Sequence, residues 1–250
     1  MENVLTGLRW LHILAGAIGL VLFWVPIFSR KGSPVHKRFG QGFLWCVNII
    51  GVTALTSVSL HLGVAAMQDQ PLWATPKFGL LVFLGYLGIT VLTGAWYMRH
   101  VLIHKRDPAA LRRPLAWALM ALAFVSSTVL ILIALTIPGT VKIILLSLSP
   151  IGYLTTFNMQ RHLRRPDREP KAWFYEHMAQ GVGLGIAFHT AFLVFGARSV
   201  FAHWLTGNWA VLPWVAPVVV GIALSYWWEQ RYRRADQARQ QAMAGQALPI

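Results

Sequence analysis

The stretch Trp173–Ala197, WFYEHMAQGVGLGIAFHTAFLVFGA, decides the fold of this chain, because it is apolar and long enough to cross a bilayer. It also carries two histidines, His177 and His189. Gly181, Gly185 and His189 are spaced four apart and therefore share one helical face. A histidine at membrane depth is costly, so the stretch predicts a spanning helix that holds a candidate functional site.

The remainder of the 250 residues extends this pattern over the whole chain. The sequence is 56% hydrophobic and only 12% charged, whereas roughly a quarter of the residues in soluble domains are charged. We predict an all-α, polytopic integral membrane bundle with a single transmembrane domain at 1–230 and a basic, polar tail at 231–250. The predicted spans are roughly 5–28, 40–65, 77–99, 114–138, 140–159, 173–197 and 210–230.

The basic residues predict the orientation of the bundle. The first, third and fifth connections and the tail hold four, five, five and four Lys and Arg residues, which is 18 of the 22 in the chain. By the positive-inside rule the N-terminus is outside and the C-terminus is cytoplasmic. The same distribution explains the net charge of +14, so we expect the lipid bilayer as a partner and no nucleic acid.

Several kinds of chemistry are disfavoured by what the spans contain. The eight acidic residues lie in loops, in tails or within about a turn of a span end, which disfavours a proton-coupled transporter and a pair of catalytic carboxylates. Cys46 is the only cysteine, so an intrachain disulfide and a multi-cysteine metal site are excluded. The N-terminus lacks the basic segment and cleavage site of a signal peptide and is assigned to the first span.

Three histidines are predicted to lie at one level near the outer side of the membrane. His12, His61 and His189 come from the first, second and sixth spans, each roughly 6–12 Å below the outer boundary at 1.5 Å per residue. Small residues share their helical faces, including Gly16 below His12 and Gly185 below His189. Such faces permit either close helix packing or the insertion of a flat cofactor.

The chemistry of this layer leaves several alternatives open. Two of the imidazoles could ligate a haem iron, or all three could bind zinc or copper with one position open. A contact with a quinone is a further alternative. In the structural alternative, each imidazole bonds to a neighbouring carbonyl or hydroxyl group and only joins helices.

A second candidate site is predicted at the cytoplasmic side. His177 lies near that end of the sixth span and is expected to pair with Glu176, with His36 or with a basic loop. Twelve residues separate His177 from His189, which places them about 120° apart around the helix. Stacked haems need ligands on nearly one face, so a single outer site is favoured over two haems.

Two proline signals predict the geometry of the fifth span. Pro138 and Gly139 indicate a tight turn and an antiparallel hairpin between spans four and five. Pro150 removes a backbone hydrogen bond inside span five and predicts a kink, where neighbouring hydroxyl groups can satisfy the freed carbonyl groups.

Two parts of the chain resemble a known family. They are LHILAGAIGL with RKGSPVHKRFGQGF near the N-terminus, and EHMAQGVGLGIAFHTAFLVFG with VLPWVAPVVVGIAL near the C-terminus. Both are similar to a bacterial family of multi-span membrane proteins known only as domain of unknown function 2306. The resemblance implies a bacterial inner-membrane location, supplies no reaction, and favours His12 and His177 over His61 and His189. The positions that match the family pattern are His12, His36, His177, Thr190, Ala191 and Phe192.

These observations favour a redox-linked inner-membrane protein that holds a histidine-ligated cofactor, most simply b-type haem, near the outer side. Such a protein would pass electrons between the quinone pool and a redox partner. The alternatives are a cofactor-free transporter or binding protein for a small molecule or lipid, and an accessory subunit of a membrane complex.

Overall fold

The computed structural model of the protein describes residues 2–74, 78–165, 171–197 and 204–246, and the regular secondary structure in these ranges is entirely helical. Seven helical segments are long and apolar enough to cross a membrane, which confirms the predicted number of spans. The helices are α1 (Glu2–Phe28), α2 (Pro34–Met67), α3 (Phe78–Ile103), α4 (Pro114–Thr136), α5 (Thr140–Leu148), α6 (Pro150–Arg164), α7 (Ala172–Ala191) and α8 (Leu212–Gln246). Helices α5 and α6 are the two halves of one span.

The second span begins six residues before the predicted start at residue 40. The Ser33 side chain accepts a hydrogen bond from the backbone N–H of His36 at 3.2 Å, and Pro34 occupies the first helical turn. The helix then runs through the polar residues that precede the apolar segment. With 34 residues, α2 is about 51 Å long and exceeds a hydrocarbon layer of roughly 30 Å.

The helix of the fifth span is interrupted beside Pro150, where the sequence predicts a kink. Helix α5 ends at Leu148 and α6 begins at Pro150, whose ring nitrogen carries no hydrogen to donate. The hydroxyl group of Tyr86 on α3 donates to the Leu148 carbonyl oxygen at 2.8 Å and accepts from the Gly152 N–H at 3.0 Å. The turn before α5 is also as predicted, since Gly139 takes a φ of +75° that favours glycine.

Helix α3 lies at the centre of the bundle and contacts α2, α4, α6 and α7. One core lies among α1, α2, α3 and α7, where Phe23, Phe43 and Phe188 pack together. Two further cores join α3 to α4 and α5 and to α4 and α6. These packed helices fix the relative heights of the side chains that they carry.

Helix α8 packs at the periphery of the bundle, chiefly against α7. It runs without a break from the apolar segment into the polar tail, as far as Gln246. Lys171 donates to Asp236 at 2.6 Å, and the Tyr175 hydroxyl group donates to the same carboxylate at 3.1 Å. The start of α7 therefore holds the tail.

The connections 29–33 and 104–113 lie at one end of the bundle, together with residues 165 and 171 and the described part of the tail, 231–246. We call this end the basic end, because it carries most of the Lys and Arg residues. At the opposite end Trp73, Trp204 and Trp209 are exposed, as expected for indole rings at a membrane interface.

Candidate functional site

The structure does not bring the predicted layer of His12, His61 and His189 together. His12 lies level with Thr53 of α2, because its Nδ1 atom is 2.9 Å from the Thr53 hydroxyl oxygen. His61 lies eight residues further along α2, which is about 12 Å nearer the opposite end.

His189 lies on the other side of His12, towards the basic end. Phe188, beside it, packs against Gly19 of α1, and Gly19 is seven residues, or about 10 Å, from His12. The His189 ring is directed further still, towards Phe23 at 5.6 Å and Trp24 at 5.3 Å between ring centroids. The three imidazoles therefore occupy three levels over about 22 Å along the bundle.

The glycine faces beside these histidines are closed by helix packing. A methyl group added at Gly185 would overlap the Phe23 ring, and one added at Gly19 would overlap the Phe188 ring. At Gly16 it would lie 3.8 Å from Ile50 of α2. Of the two alternatives for these faces, close helix packing is what the structure shows at Gly19 and Gly185.

Each of the three histidines already bonds to a nearby group. The Nδ1 atoms of His61 and His189 lie 2.7 Å from the carbonyl oxygens of Ser57 and Gly185, one turn back in the same helix. The Thr53 hydroxyl group donates its hydrogen to the Ile49 carbonyl oxygen at 2.8 Å and therefore accepts from His12. These contacts are those of the structural alternative for the layer.

The second candidate site is assembled at the basic end. His36, near the start of α2, and His177, near the start of α7, have ring centroids 6.5 Å apart with planes inclined at 60°. Both side chains are half-buried. Of the partners predicted for His177, the structure brings His36 to it.

Backbone carbonyl groups orient both rings of this pair. The Nδ1 atom of His36 lies 3.1 Å from the Pro26 carbonyl oxygen, and that of His177 lies 3.2 Å from the Met98 carbonyl oxygen. A carbonyl oxygen can only accept, so Nδ1 carries the hydrogen in each ring and Nε2 keeps its lone pair. Metal-binding histidines are oriented in this way, with the ligating nitrogen left open.

Two charged residues lie beside the pair. Lys31 donates to the carbonyl oxygens of Pro26 and Ile27 at 2.9 Å each, and its charge acts electrostatically on both imidazoles. Desolvation lowers the pKa of the Lys31 ammonium group. Glu176 is buried at 6% exposure and makes a contact of its own. The pair therefore lies near two charged residues at the basic end of an apolar bundle.

Within residues 2–74, 78–165, 171–197 and 204–246, no group of three or more His, Cys, Asp and Glu side chains is placed to hold a metal ion. The arrangement that the structure offers is thus a pair of imidazoles. A pair can complete the coordination of a metal whose other ligands come from a cofactor.

Sequence reasoning missed three features that the packing reveals. The carbonyl groups of Pro26 and Met98 carry no sequence signal, because any residue supplies one. Tyr86 was a usable signal, since a buried tyrosine in an apolar span needs a hydrogen-bond partner. Gln41 and Asn48 were a second usable signal, because they place two polar side chains seven residues apart on one face of the spanning helix α2.

The fold and the site define a multi-pass, all-helical membrane protein with a histidine pair at its basic end. Comparison of the chain with family models, with curated proteins and with solved structures found no match in any of the three.

Proposed function

We propose that this protein holds a histidine-ligated redox cofactor, most simply b-type haem, and transfers electrons across or along the membrane. The proposed ligands are His36 and His177, in place of His12, His61 and His189. The observation that carries it is the 6.5 Å separation of the two imidazole centroids.

That separation would allow both imidazoles to hold one metal ion. A metal–nitrogen distance of about 2.0–2.1 Å plus the radius of the ring puts two such centroids roughly 6 Å apart. The carbonyl groups of Pro26 and Met98 hold the hydrogens on the Nδ1 atoms, so that both Nε2 atoms are in the form that binds a metal. His36 and His177 are thus the residues that would hold the group.

Haem is favoured over zinc or copper by the number of protein ligands. Structural and catalytic zinc sites take three or four ligands from the protein, whereas a porphyrin supplies four to its iron and needs only the axial pair. A haem with two histidine ligands supplies reversible one-electron transfer. His36 and His177 would orient it, and Lys31 would place a positive charge beside it. A quinone or a redox protein is the proposed electron partner.

The proposed setting is a bacterial inner membrane, with the basic end in the cytoplasm and the N-terminus outside. The distribution of Lys and Arg supports this orientation. A C-terminal fusion to green fluorescent protein should fluoresce and a C-terminal fusion to periplasmic alkaline phosphatase should be inactive. The reverse result would contradict the orientation.

The cofactor is tested by a reduced-minus-oxidised visible spectrum of the detergent-purified protein, with iron, zinc and copper analysis of the same sample. We expect a sharp α-band of the b type and about one iron per chain. Protein purified without the band is titrated with hemin, and binding is followed by the Soret absorbance.

Matched variants locate the ligands. His36→Ala and His177→Ala should each remove the low-spin band, whereas His61→Ala, at an exposed position, should leave it unchanged. If His12→Ala or His189→Ala removes the band while the His36 and His177 variants keep it, the proposed pair is wrong. No band after hemin titration, with no bound metal, would eliminate the redox function and favour a transporter, a lipid-binding protein or an accessory subunit.

A further inference from the structure

We propose that the groove between α2 and α3 at the basic end binds an anionic glycerophospholipid from the membrane. The groove lies on the outer surface of the bundle and is independent of the histidine pair. It is lined by Gln41, Leu44, Trp45 and Asn48 from α2, and by Ala95, Trp96, Arg99 and His100 from α3.

The position of the groove matches the interfacial region of a bilayer. Arg99 lies four residues before the end of α3, which is about 6 Å along the helix axis. Trp45 is 62% exposed beside it, and tryptophan favours the level of the lipid headgroups. The groove therefore reaches from the headgroup region into the acyl region.

The positive charge of Arg99 makes the groove suitable for an anionic ligand. Arg99 is exposed, and among the residues that the structure describes it makes no hydrogen bond or ion pair. Two acidic residues at this end are already engaged, since Asp236 holds Lys171 and Glu229 holds Arg233. A guanidinium group matches the geometry of a phosphate in a bidentate contact.

Polar side chains on the spanning helix α2 support the same ligand. Gln41 and Asn48 are exposed on the outer surface, where hydrocarbon offers no hydrogen-bond partners. Asn48 donates one of its side-chain N–H groups to the Leu44 carbonyl oxygen at 2.7 Å, and no described residue bonds to its side-chain oxygen. The glycerol, ester and headgroup oxygens of a lipid supply partners at these depths.

The aromatic side of the groove is pre-organised. The rings of Trp96 and His100 are stacked, with centroids 4.2 Å apart and planes inclined at 20°. His100 donates its Nδ1 hydrogen to the Trp96 carbonyl oxygen at 2.7 Å, which leaves Nε2 to accept from a headgroup hydroxyl or amine group. The exposed apolar surface of Trp45 would contact an acyl chain, which a free phosphate ion lacks.

The test is native mass spectrometry of the full-length protein released from nanodiscs that contain equal amounts of phosphatidylglycerol and phosphatidylcholine. We expect the wild-type protein to retain phosphatidylglycerol severalfold over phosphatidylcholine. Arg99→Gln should lose most of this preference. Arg164→Gln is the matched control, because it removes the same charge from the basic end on α6, away from the groove, and it should behave as the wild type.

A second variant tests the groove without removing its arginine. Gln41→Glu adds a negative charge at an exposed position of the groove and should also reduce retention of phosphatidylglycerol. Equal retention in the wild-type protein and both groove variants would overturn the proposal. Thermal stabilisation of the purified protein by inorganic phosphate to the same extent as by phosphatidylglycerol would overturn a lipid in favour of a free anion.

Discussion

The hydroxyl group of Tyr86 lies between the Leu148 carbonyl oxygen and the Gly152 N–H, at 2.8 Å and 3.0 Å. Residues 148 and 152 are four apart, so this hydroxyl takes the place of one hydrogen bond of a continuous helix. The break at Pro150 leaves backbone groups that lipid cannot satisfy. A side chain from the central helix therefore supports the interrupted span.

Tyr86→Phe should destabilise the protein by about 1–2 kcal/mol, because it removes both bonds and leaves a buried donor without this acceptor. Thermal unfolding in detergent measures the loss, and hydrogen exchange should increase at residues 148–152. Tyr226→Phe is the control, since Tyr226 is 66% exposed. Equal unfolding midpoints for both variants would show that the Tyr86 bridge contributes nothing.

Gly185 on α7 packs tightly against the Phe23 ring on α1. Gly185→Ala should cost about 1–3 kcal/mol by overpacking, since its methyl group would overlap the Phe23 ring. Gly183→Ala should be tolerated, because nothing lies within 4 Å of a methyl group added there. Thermal midpoints in detergent compare the two variants. Phe23→Leu should partly rescue Gly185→Ala, and additive effects would contradict the contact.

The bond from His12 to Thr53 joins α1 to α2 within the membrane. Thr53→Val keeps the shape of the side chain and removes the acceptor, so we expect a loss of about 0.6 kcal/mol and at most about 1.7 kcal/mol. Thr56→Val, at an exposed position of the same helix, serves as the control. A double-mutant cycle of unfolding free energies with His12→Leu should give a coupling energy above zero. Zero coupling would mean that the bond has no net effect.

The polar tail is held by Asp236, which bonds to Lys171 and to Tyr175 at the start of α7. The Lys171 side chain is 51% exposed, so Asp236→Asn should cost only about 0.2–1 kcal/mol, and less at high salt. Limited trypsin digestion should nevertheless cleave the tail faster. Glu229→Gln removes a carboxylate whose partner Arg233 lies in α8 itself, and it should change cleavage less. The opposite order would show that Asp236 does not hold the tail.

The number of the spans and their positions along the chain could be predicted well, because they depend on local properties. The apolar runs predicted the seven spans, Pro150 predicted a kink in the fifth span, and Pro138 with Gly139 predicted the hairpin turn. The start of α2 was missed, because Ser33 and Pro34 form a helix cap outside the apolar segment. A cap of this kind depends on a few neighbouring residues, so it could have been recognised from the sequence.

The amino-acid sequence by itself determined that this chain forms seven apolar helices with a basic end, since length and composition decide which segments can leave water. Only the tertiary structure decided which histidines meet. Their heights depend on where each helix begins and on how glycine contacts such as Gly19 with Phe188 set the offset between neighbours. An error of a few residues in the start of a helix or in the offset between neighbouring helices shifts a side chain by a turn or more, about 5 Å. That sensitivity is why His36 and His177 are paired while His12, His61 and His189 lie at three levels.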